Sequence, residues 1–181
     1  MLLSSTSRWG AIAKIFHWSM AIGLVGMLLA GYFMTDLPNS RFKIDVYSLH
    51  KSTGLTLLAL LVFRLLWRWL DPTPLLPAHT PRWQRLLAKA SHGLLYLLML
   101  AMPLSGWLYN SAANFPLRWF GTIRIPALSG PDRELKHLAG DLHEAFAIAL
   151  AILLCVHVAA ALKHHFIDRD SILKRMLPWG N

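Results

Sequence analysis

The chain is short of the residues that build water-soluble surfaces and covalent cross-links. Its 181 residues include one cysteine, Cys155, so no disulfide can close within it. Cys155 lies in an apolar run, where the expected role is that of a small buried hydrophobe. Charged residues make up 15% of the chain, against about 25% in an ordinary soluble domain. Acidic residues number nine, leaving a formal net charge of +9. In a soluble protein that balance would suggest nucleic acid. No nucleic-acid motif and no aromatic-plus-basic array occurs in a polar segment, so no nucleic-acid partner is expected. The N-terminus has no cleavable leader pattern: its first apolar run is tiny, Arg8 and Lys14 follow it, and no small-residue cleavage site ends it. The first long apolar segment is expected to be retained. Internal repeats and low-complexity tracts are also missing.

What is present is apolar: 55% of the residues are hydrophobic. They gather in four runs, at about 9–34, 48–70, 86–109 and 140–166. Each is near or above the roughly 20 residues that a helix needs to cross a bilayer, and none has the period-two pattern of a strand. The expected fold is therefore all-α, an integral membrane four-helix bundle, forming a single domain over residues 1–181 with membrane lipid as its surroundings. Pro103 falls inside the third run and should kink it, and Gly106 would ease the bend. The second connection, with four prolines, reads as an extended surface segment. The third is the longest. Its early part, with Phe115, Trp119 and Phe120, is expected to lie along the membrane interface, and Pro131-Asp132 reads as a helix start. The N-terminus, second connection and C-terminus share one side with about 11 of the Lys and Arg residues, against about 7 on the other, which predicts both termini in the cytoplasm.

The nine histidines carry the chemistry. His143 and His157 are fourteen residues apart, about four helical turns, so both project from nearly one face, roughly 21 Å apart along the axis. His50 enters its helix from the same membrane face as His143. His17 enters from the cytoplasmic face, at the depth of His157. Two paired levels follow, His50 with His143 and His17 with His157. Ionisable groups at such depth are functional candidates, and neutral imidazoles from facing helices are suitable axial ligands for haem iron. A zinc or copper site is disfavoured, because no carboxylate or thiolate joins either cluster. No Cys-x-x-Cys-His occurs, so covalent haem attachment is excluded. His92 enters at a depth similar to His17. It could replace His17 as ligand, or hydrogen-bond a haem propionate or a quinone. Anionic propionates need cations: Lys51, Arg118 and Arg124 are candidates on the outer side, Lys14, Arg64 and Arg68 on the inner side, with plain snorkelling as the other explanation. Lys163, His164 and His165 close the fourth helix. They suit a helix C-terminus and lipid headgroups, and Lys163 and His164 are also candidates for propionate or quinone contact. His79 and His137 are expected to be solvated.

Several motifs, in order, resemble one family. They are Ile15-Phe16-His17-Trp18, Leu49-His50 with Gly54, Phe63-Arg64-Leu65-Leu66-Trp67-Arg68 and Pro72-Thr73-Pro74. Then follow His92-Gly93-Leu94-Leu95-Tyr96, Pro103-Leu104-Ser105-Gly106, His143-Glu144, and the stretch from His157 to His165. Together they resemble the bacterial cytochrome b561 family of di-haem inner-membrane proteins, over nearly the whole chain. The resemblance implies two haem b groups, with His50 and His143 on the outer iron and His17 and His157 on the inner one. It implies electron transfer between a partner and the quinone pool, and close relatives oxidise superoxide at the periplasmic face and reduce ubiquinone. Arg118, Arg124 and Lys51 would then steer the superoxide anion. The alternative is a haem-bearing membrane anchor that takes electrons from a periplasmic dehydrogenase or hydrogenase docked on the outer face.

Overall fold

The computed structural model describes residues 1–75, 77 and 80–179; His79 lies outside them. Four long helices carry the fold: α1 (Ala11–Met34), α2 (Arg41–Leu70), α3 (Arg82–Ala112) and α4 (Arg133–Phe166). All four are long and apolar enough to cross a membrane. A short hairpin, β1 (Leu117–Trp119) and β2 (Ile123–Ile125), lies between α3 and α4, and a one-turn helix α5 (Ile172–Met176) follows α4.

The helices outrun the apolar segments that announce them, because hydropathy reports the bilayer and capping reports the helix. α2 begins at Arg41 rather than near residue 48, with the Ser40 side chain accepting from the Lys43 amide at 3.2 Å. α4 begins at Arg133, as Pro131-Asp132 foretold. The Asp132 carboxylate accepts from the Leu135 amide at 3.0 Å, and Glu134 sits in the first turn, where the helix dipole favours negative charge. Pro103 lies inside α3.

α1 packs on α2, α3 packs on α4, and α2 also meets α3. The buried nucleus is Leu95 and Leu98 of α3 against Leu150 of α4, with Phe146 and Met102 around it. Most other large apolar side chains point outward, as expected where lipid, not water, is the solvent.

One end of the bundle gathers the N-terminal segment, the α2–α3 connection and α5. The Ser4 amide donates to Asp71 Oδ1 at 2.8 Å, the Leu75 amide to the Thr6 carbonyl at 2.9 Å, and Arg175 to the Leu75 carbonyl at 2.8 Å. Trp18 Nε1 donates to the Met176 carbonyl at 2.9 Å. At the other end the hairpin is docked rather than merely laid on the interface. The Phe120 amide donates to Ser52 Oγ at 2.9 Å, Trp119 Nε1 to Thr56 Oγ1 at 3.0 Å, and Trp107 Nε1 to the Pro126 carbonyl at 2.9 Å. Its turn has positive φ at both Phe120 (45°) and Gly121 (74°), the twist that tight hairpins require. Glycine meets this freely; Phe120 is held there by its bond to Ser52.

Candidate functional site

At the hairpin end, His50 of α2 and His143 of α4 are close enough to interact electrostatically. Each imidazole lies against a glycine of a neighbouring helix. A Cβ on Gly31 of α1 would stand 3.3 Å from His50 Cε1, and one on Gly106 of α3 would stand 2.9 Å from His143 Cε1. Gly106 therefore makes room for a ring. His143 Nδ1 lies 3.0 Å from the Met102 carbonyl and 3.0 Å from Ser105 Oγ. A carbonyl only accepts, so Nδ1 carries the proton and Nε2 keeps a free lone pair. A hydrogen-bonded Nδ1–H is the usual arrangement of a metal-ligating histidine. His50 Nδ1 is buried with no hydrogen-bond partner among the described residues. Lys51, next to it, stands over the Phe115 ring at 5.5 Å.

At the end that holds the termini, the rings of His17 (α1) and His157 (α4) lie 6.3 Å apart, centre to centre, at 51°. With a metal–nitrogen bond of about 2 Å, and a ring nitrogen about 1 Å from its ring centre, two imidazoles across one metal ion stand about 6 Å apart. His17 and His157 meet that spacing. His92 stands 5.4 Å from His157, nearly perpendicular at 77°, closer than two ligands across one ion. Its Nδ1 is tied to the Ala88 carbonyl one turn back at 2.6 Å. Arg64 reaches into the same group. Its Nη2 is 3.4 Å from His17 Nδ1, its Nε 3.3 Å from Tyr96 Oη, and its guanidinium stands 5.7 Å from the Tyr96 ring centre. Among the described residues no carboxylate pairs with Arg64. An intramembrane cation without an anion suits an acidic cofactor edge.

These residues fit haem: imidazoles gathered at two levels, glycines where rings press on helices, and, among the described residues, a buried imidazole nitrogen with no partner and a guanidinium with no carboxylate.

Other candidates are placed elsewhere. Lys163 Nζ contacts both oxygens of Asp168, at 2.8 and 2.6 Å, and His164 Nδ1 lies 2.7 Å from Asp170 Oδ2. Both residues brace the turn after α4. Arg118 and Arg124 face each other directly across the hairpin and are exposed. His137 is exposed on the first turns of α4. Met102 enters the site without having been picked out in the sequence, and Ser105 and Tyr96 were noted there only inside longer motifs, with no role of their own. Their types are common in apolar helices, and only the packing of α3 on α4 and α2 selects them.

The fold and site define a class: a helical membrane bundle that presents two levels of paired histidines. The model of the prokaryotic cytochrome b561 family matches residues 8–179, and the chain belongs to that family. It is an electron-transfer membrane protein of a family that binds haem b. It is 40% identical over 176 residues to cytochrome b561 homolog 2 of Escherichia coli strain K12, covering 96% of this chain and 93% of the relative. It is 31% identical over 178 residues to cytochrome b561 homolog 1 of the same organism, covering 95% and 98%. It is 30% identical over 163 residues to the probable superoxide oxidase CybB of Yersinia pestis, covering 90% and 91%.

Proposed function

We propose that this protein is a superoxide:ubiquinone oxidoreductase of the bacterial inner membrane, holding two haem b groups. His50 and His143 ligate the iron near the hairpin, and His17 and His157 ligate the iron near the termini. The two histidine levels carry this reading, above all the 6.3 Å spacing of His17 and His157. The similarity to a probable superoxide oxidase supports the choice of donor. The termini lie in the cytoplasm, which puts the hairpin in the periplasm, in keeping with the excess of Lys and Arg at the other end.

Bound between these imidazoles, haem supplies reversible one-electron chemistry. The chain's own residues provide position and charge. Arg118, Arg124 and Lys51 make the periplasmic end attractive to an anion and raise its encounter rate. Arg64 offers its guanidinium to a propionate at the inner level, with His92 beside it. His164, held by Asp170, and Lys163 stand at the end where protons enter. The reaction balances as two superoxide anions, one ubiquinone and two protons giving two dioxygen molecules and one ubiquinol.

The test is a haem determination on purified protein, followed by superoxide addition with and without a ubiquinone. Two haems per chain, a Soret band with split α-bands, and superoxide-dependent ubiquinol formation are expected. One haem or none ends the reading. Two haems without turnover, together with a copurifying periplasmic dehydrogenase, would instead identify a membrane anchor.

A further inference from the structure

His143 and His50 both lie at the hairpin end, each against a glycine of a neighbouring helix, yet their ring nitrogens are supported unequally. His143 Nδ1 has two acceptors within 3.0 Å, the Met102 carbonyl and Ser105 Oγ. His50 Nδ1 has none among the described residues. The support for His143 comes from one turn of α3 around Pro103. Ser105 Oγ donates back to the Met102 carbonyl at 2.8 Å, a bond of the kind that bends helices. Proline in the same turn removes a backbone donor. Ser105 has therefore used its one proton on Met102 and is left accepting from His143 Nδ1–H. Gly106 completes the seat, since a side chain there would push on the ring at 2.9 Å. Ser105 is itself buried, so water does not stand in for its hydroxyl.

We propose that Ser105 is a positioning residue for the outer haem: with the Met102 carbonyl, it sets the rotation of the His143 ring and the electron density at its ligating nitrogen. A hydrogen bond at the far ring nitrogen controls ligand basicity, and the potential of a haem follows its axial ligands and their hydrogen bonds. The hydroxyl acts on one haem alone, because among the described residues its hydrogen bonds go to Met102 and His143, both at the outer level. The inference rests on the ligand assignment proposed above for His143.

The experiment uses the full-length protein purified with its haems. Wild type, Ser105→Ala and Ser105→Thr are compared by redox titration of each haem and by the ferric low-spin resonance signals. In Ser105→Ala, one midpoint potential and one low-spin signal should move, with the other pair unchanged. Ser105→Thr, which keeps the hydroxyl, should restore wild-type values. Loss of one haem in Ser105→Ala with retention of both in Ser105→Thr is the stronger form of the same result. The proposal is overturned if Ser105→Ala keeps both potentials and both signals at wild-type values. It is equally overturned if both haems shift together or are lost together, since that marks a general structural effect. Wild-type protein with fewer than two haems fails the ligand assignment itself, a result read before any variant is made.

Discussion

Ser4 and Asp71, 67 residues apart in sequence, are joined through two hydrogen bonds. The Ser4 amide donates to one carboxylate oxygen of Asp71, and the Ser4 hydroxyl donates to the other. Both residues are buried. Ser4 Oγ also accepts from the Gly10 amide at 2.9 Å, just before α1 begins. One carboxylate at the end of α2 thus fixes the entry to α1.

Replacing Asp71 should therefore loosen the whole end of the bundle. Asp71→Ala strands a buried amide and a buried hydroxyl, each worth about 1–3 kcal/mol when unanswered. Thermal unfolding in detergent should start lower than in wild type, and proteolysis near residues 1–10 should accelerate. Asp71→Asn, which keeps an acceptor for the Ser4 amide, should show a smaller drop.

Single-histidine variants separate the two levels. His50→Ala or His143→Ala should each yield protein with one haem, and so should His17→Ala or His157→Ala, with loss of the other spectral component. His92→Ala should keep both, because its ring is too close to His157 to share an iron with it. Haem-to-protein ratio by alkaline pyridine spectra is the readout. Two haems with unaltered spectra in His143→Ala would contradict the assignment of that residue.

The paired arginines of the hairpin should act on rate and salt dependence. With Arg118→Gln and Arg124→Gln combined, superoxide-driven reduction should fall about tenfold at low ionic strength, within the range that steering supplies. The difference should shrink as salt rises, because exposed charges are screened. A rate that is unchanged at low salt would remove these arginines from the approach path.

Ser52 tests whether the hairpin is held or merely adjacent. Ser52 is fully buried, and its hydroxyl receives the Phe120 amide and donates to the Ser48 carbonyl at 2.9 Å. Ser52→Ala leaves the Phe120 amide unanswered, in a turn whose positive φ already disfavours phenylalanine. Hydrogen exchange at Phe120 to Thr122 should quicken markedly, while the protection of α1 to α4 stays as it was.

Much of the architecture was legible because membrane helices obey few rules. Four long apolar runs mean four spans, and Pro131-Asp132 announced the start of α4 before the bilayer is reached. The spacing of His143 and His157 set two levels on one helix, and His50 and His17 were assigned to them by the depth and side at which each enters its span. The hairpin was hidden, since Phe120-Gly121 lacks the Asn-Gly or Asp-Gly signature and its stability comes from Ser52 and Thr56, far away in sequence. The tuck of Ser4 onto Asp71 is equally non-local. Gly106 looked like relief for a proline kink, yet what it accommodates is His143, and only the packing of α3 on α4 reveals that. Lys163 and His164 looked free to meet a ligand; the turn after α4 folds back and gives each an aspartate.

α4 runs unbroken from Arg133 to Phe166, with neither proline nor bulge between His143 and His157. It therefore works as a ruler. Tilting, thickening or squeezing of the surrounding bilayer moves both graduations together and leaves the interval between them untouched. On the ligand assignment proposed above, a single inserted residue between the two marks would turn one imidazole about 100° off the shared face and break its level.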